Sequence, residues 1–162
     1  MAVIIRPVNV ADITDALVEW LRAWPALVDM GAAIDDSEPP NENPERCPCV
    51  GVYRSRASFV PRTVGMGAGY RTQKITIMLQ MTAASTGAGA ASGSGADCKR
   101  RLEDLIQAVS GALCSNESLS GTVDTLEDIN IVYSNYAQVG AAYFQEAVAT
   151  VVASTRVAAT IT

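Results

Sequence analysis

From Lys74 to Ala83 the chain alternates in character at every second residue. Ile75, Ile77, Leu79, Met81 and Ala83 fall to one side, and Lys74, Thr76, Gln80 and Thr82 fall to the other. Side chains reverse direction at each residue of a strand but return only every 3.6 residues of a helix, so this spacing predicts a strand with one apolar face. A lone strand cannot bury such a face, which requires partner strands and a covering layer. The run from Cys49 to about Ala57 is the nearest candidate partner, and the two make a long hairpin with one wet face.

The covering layer is predicted by helical spacing. Ile13, Leu17, Trp20, Leu21, Trp24 and Val28 form one stripe over residues 10–28, with Asn9 as N-cap, Asp12 in the first turn, and Pro25 ending or kinking the helix near Trp24. Trp20 and Trp24 lie within that stripe, which makes them core or subunit interface before a stacking platform for a ligand. A second helix is expected from Asp97, as N-cap, to about Leu113, with Cys98, Leu102, Leu105, Ile106, Val109 and Leu113 inward. Then Ile129, Ile131 and Tyr133 alternate with Asn130, Val132 and Ser134, and an Ala/Val/Thr run covers Tyr143 to Ala158. The order helix, two strands, helix, two strands gives an α+β class: an antiparallel sheet of about four strands with two helices on one face. With 162 residues, a single domain over 1–162 is expected. Two exposed loops interrupt it: an acidic, proline-bearing loop at 35–46 and a Gly-rich loop at 85–96 that orders only on contact.

Many chemistries are excluded by composition. The chain has no histidine, which removes Ser-His-Asp and Cys-His catalysis and histidine-ligated metals. Cys98 and Cys114 on one helix would stand roughly 24 Å apart, beyond one metal ion. Cys47 and Cys49 are then half a site, and all four cysteines read as small hydrophobes. Asp12, Asp15 and Glu19, and separately Asp124, Glu127 and Asp128, are spaced to hold Mg²⁺ or act as acid and base, but no apolar pocket is indicated beside them. The glycines from Gly87 partly match a dinucleotide fingerprint, yet the helix begins too late to receive a pyrophosphate. No cofactor and no metal are therefore expected. Nothing in the chain suits a transmembrane helix, and the N-terminus carries no leader pattern, so a cytoplasmic site of synthesis and no membrane partner are expected.

Charge is distributed unevenly. Residues 1–45 carry −7, residues 46–96 hold six cations and no acid, and residues 97–162 carry −4, for a net −5. A hairpin bearing +6 in an acidic chain suggests a surface that meets something negative, either nucleic acid or the acidic part of another copy. The pI near 4.6, with no interleaving of aromatic and basic residues, argues against a dedicated nucleic-acid binder.

An N-terminal amphipathic helix, a long basic hairpin, a Gly-rich loop, a second helix, and then Leu119-Ser120-Gly121-Thr122-Val123 before two closing strands make up the chain. This layout resembles the tail terminator (tail completion) proteins of long-tailed bacteriophages over nearly the whole length. The resemblance implies a virion structural protein rather than an enzyme. It implies a homo-oligomeric ring, usually six-fold, that caps the tail tube, meets a neck or connector protein, and surrounds the path of DNA. Arg54, Arg56, Arg62, Arg71, Lys74, Ser85, Gly87, Gly89, Gly93 and Gly95 are the candidate contacts with neighbouring subunits, tube or connector. A neck or head-closure protein is the nearest alternative. A small nucleotide- or Mg-dependent enzyme and a DNA binder are more distant ones.

Overall fold

In the computed structural model, the residues described are 3–5, 8–36, 44–60, 69–85, 94–134 and 137–161. The strand predicted from alternation is β4 (Gly69–Ser85), and it lies in the middle of the sheet. On one side it pairs antiparallel with β3 (Cys49–Val60). On the other it pairs antiparallel with β7 (Ala142–Ile161), unbroken from Gly69↔Ala159 to Ser85↔Tyr143. The far side of β7 receives β6 (Ala137–Val139), β5 (Thr125–Tyr133) and β1 (Val3–Ile5) in turn along its length, all antiparallel. β2 (Ala33–Asp35) joins β3 in parallel. The α+β class holds, with seven strands among the described residues rather than about four, and one parallel pair. The three added strands have three residues each, too short for alternation to show; each is defined by the strand it docks on.

Helices α1 (Val10–Ala23), α2 (Pro25–Asp29) and α3 (Ser94–Ser115) complete the described elements, apart from a 3-10 turn at Pro44–Arg46. Asn9 caps α1 by accepting from the Ala11 N–H, and the chain breaks at Trp24 before Pro25 as expected. The buried cluster joins Ile13, Leu17 and Leu21 of α1 and Leu102, Leu105 and Val109 of α3 to Ile75, Ile77, Leu79 and Met81. Both long helices therefore lie on the same face. They are tied by the Trp20 indole, which donates to the Ala112 carbonyl at 2.8 Å, while the Trp20 and Trp24 rings pack 5.7 Å apart. The Arg22 guanidinium donates twice to the Ile34 carbonyl, fixing β2 beside α1.

Three local expectations are corrected. Val28 is exposed, because Pro25 restarts the helix and Leu27 becomes the inward residue of α2. α3 begins at Ser94, so Asp97 is a first-turn acid rather than the N-cap. The ends of the acidic segment are structured: Asp35 closes β2, and Arg46 reaches back to it at 2.7 Å.

Gln73 closes the far end of the core face. It is 2% exposed; its amide oxygen accepts from the Val8 N–H at 2.9 Å and its amide nitrogen donates to the Val8 carbonyl at 3.1 Å. One side chain thus satisfies both backbone groups of a residue that enters no strand. Gln73→Leu leaves both without a partner and is expected to cost about 2 kcal/mol in urea unfolding. Gln80→Leu, on the opposite face of the same strand, should cost less than about 0.5 kcal/mol.

Candidate assembly surface

The acid-free stretch becomes the β3–β4 pair, but its cations do not form one patch. Arg54 and Arg56 are exposed on β3, where the register slips around Ser55. Arg54 lies opposite Ile77 and Arg56 opposite Thr76, so the slip sends the two guanidinium groups to different faces. On the helix side, Arg54 borders an open groove of about 430 Å³ shared with Ala11, Thr14, Asp15, Asp36 and Val52. Lys74 pairs with Glu127 at 3.6 Å across the opposite face, and Arg46 is held by Asp35. Arg71 lies in β4 opposite Val157. Arg62, Gly87, Gly89 and Gly93 lie outside the described residues, and Gly95 sits in the first turn of α3.

Ser85 is corrected as a contact. It is 2% exposed, and its hydroxyl donates to Asp97 Oδ2 at 3.0 Å, joining the end of β4 to the start of α3. It also stands eleven strand residues from Lys74, about 36 Å along β4, so the two never share a site.

Sequence reasoning missed the sheet face turned away from the helices. Thr76, Met78 and Gln80 of β4 and Val148, Thr150 and Val152 of β7 are half-buried there, and none of them belongs to the core cluster. Alternation in β4 signalled a wet face, but its breadth depends on β7 lying alongside. At one end the face is closed by a small cluster of Ala84, Ala142 and Phe144, against which Cys47 packs.

Of the two acidic runs, Asp12, Asp15 and Glu19 point outward from α1 into solvent. Asp124 accepts from the Arg156 N–H at 2.7 Å, and Glu127 holds Lys74, so the second run is partly engaged in fixing β5 to β7 and β4. Three of the cysteines converge where α3 starts. The Cys47 thiol donates to Cys49, and that bond together with burial holds its proton far above the ordinary thiol range. The same bond favours the thiolate of Cys49. Burial raises the Cys98 thiol, which donates to the Ala83 and Tyr143 carbonyls, both at 3.4 Å. Among the described residues no group of three metal-ligating side chains could hold an ion, and no helix is long and apolar enough to cross a membrane.

No protein-family model matches the chain, and no curated protein matches it. Among solved structures it is similar to a chain described as "Virion of native gene transfer agent (GTA) particle", with 15% identity and a TM-score of 0.49, over 93% of this chain and 99% of that one.

Cys114 departs from the expected buried role, since it is exposed near the end of α3. Sixteen residues at about 100° each place it roughly 160° around the helix from Cys98. A thiol reagent added to the native protein should therefore modify one cysteine rapidly and the other three slowly. Cys114→Ser should abolish the rapid phase, with all remaining thiols reacting once urea is added.

Proposed function

We propose that this chain is a structural protein of a phage-like virion, a tail terminator that assembles with further copies into a ring and caps the tail tube. The observation that carries the proposal is the sheet, which the described helices cover on one face only. Its other face presents Thr76, Met78, Gln80, Val148, Thr150 and Val152, a half-buried stripe without charge of its own, bounded by the Lys74–Glu127 pair at one end and by Glu146 and the Cys47–Phe144 cluster at the other. β-branched and thioether side chains on a pleated surface are suited to packing against another protein. The exposed Arg56 adds a charge at the border of that surface, while Arg54 stands on the helix side. The terminator reading rests on the resemblance of the chain layout described from the sequence.

Capping needs no chemistry. A ring that matches the tube on one face satisfies the last tube ring, and its other face offers no site for the next one. That face is then available to the connector of the head, and the enclosed channel to DNA. The assignment gives a virion location, a six-fold ring, and tube and connector proteins as partners.

Electron micrographs of the purified protein, alone or with tube protein, are expected to show rings, and adding the protein to polymerising tube should shorten the tubes. A strictly monomeric protein that leaves tube length unchanged overturns the proposal. Rings that bind only the portal side of the connector would assign it to head closure instead.

A further inference from the structure

The sheet ends in two strand edges of opposite charge. β3 pairs outward with β2 only as far as Gly51, and residues 54–57 beyond it are exposed. β5 pairs with β7 alone among the described strands, and residues 128–130 are exposed. Among the described residues, neither Arg54 nor Arg56 forms an ion pair.

Pairing across the sheet fixes the relative height of these edges. Arg56 is opposite Thr76, Thr76 opposite Val152, and Val152 opposite Glu127. Arg54 is opposite Ile77 and Ile77 opposite Val151, which faces the irregular step in β5 between Glu127 and Asn130. Asp128 occupies that step with φ 54°. The two arginines on one edge therefore stand level with two acids on the other, and the irregularity in β3 stands level with the irregularity in β5. Direction agrees as well. β3, β4, β7 and β5 alternate in sense, so β5 of one copy laid against β3 of the next is antiparallel, like every other pair in that series.

We propose that the β3 edge at Arg54–Ala57 of one copy pairs head to tail with the β5 edge at Glu127–Asn130 of a second copy, so that one sheet continues from subunit to subunit. A closed ring has no rise per subunit, so with strands aligned to its axis, residues at equal height meet. Arg54 and Arg56 then face Glu127 and Asp128. Charge on a free edge ordinarily keeps strands apart, and here it does so selectively. β3 repels β3 and β5 repels β5, while β3 attracts β5, so the isologous pairings are disfavoured and the head-to-tail one is favoured. At Leu126 the N–H already bonds to the Glu117 carbonyl at 2.7 Å, which closes one end of the open edge.

This inference rests on the assembly reading above and specifies its subunit contact. The test measures mass in solution for the full chain and two variants, R54E and D128K, each first checked for a native circular dichroism spectrum and melting curve. Each variant alone should self-associate at least about tenfold more weakly than the unchanged chain. Mixed one to one, they should assemble again, because every contact in an alternating ring then joins opposite charges. Assembly of either variant at undiminished strength, or folded variants that stay apart when mixed, overturns edge pairing and leaves the ring itself standing. An unchanged chain that never assembles, alone or with tube protein, overturns the assembly reading and the edge contact together.

Discussion

The pairing of β4 with β7 is the interaction on which the remaining elements depend. It runs the full length of β4 without a register shift, whereas β3 and β5, the neighbours on either side, each slip once. The central pair sets the pleat, and with it the face on which Ile75, Ile77, Leu79 and Met81 meet Ala149, Val151 and Ala153. A one-residue slip here would turn every apolar side chain of β4 away from α1 and α3 and bring Thr76, Met78 and Gln80 inward. The helices are secondary to this choice: each covers a face that the ladder has already defined.

What could be read from the sequence follows the range of the interactions responsible. Local signals were legible. Asn9 caps α1, Pro25 breaks it, the β4 alternation places its core face correctly, and the α3 stripe from Cys98 to Leu113 is buried. Signals set by distant partners were not. β1, β2 and β6 are strands only because β7 and β3 present edges to them, and a three-residue segment carries no period of its own. Phase errors account for Val28 and Cys114, where a proline reset in one case and an accumulated helical rotation in the other turned the residue outward.

The surface shows the same division. The uneven charge along the chain marked the basic hairpin, and Arg54 and Arg56 proved to be exposed on it. The significance of Asp124, Glu127 and Asp128 was hidden, because a short acidic run before a strand is ordinary. Only pairing with β7 shows it to be an edge level with the arginines. Ser85, which the Gly-rich composition around it suggested was exposed, is turned inward by its bond to Asp97.

The ladder also dictates the order in which the fold can form. Its pairs are 58 positions apart in the chain at Ser85↔Tyr143 and 90 apart at Gly69↔Ala159. Closing the shorter loop first costs about 0.4 kcal/mol less entropy, a small bias by itself. α3 adds to that bias, since Cys98 touches the carbonyls of Ala83 and Tyr143 and so joins the two strands at the short-loop end. Zipping from that end toward Gly69 leaves the far end of β7 to settle last, against a β3–β4 hairpin whose own pairs, 12 to 33 positions apart, close sooner. High sequence separation also makes closure slow. The rate at which the whole chain reaches its folded state is then governed by the closing of this one ladder.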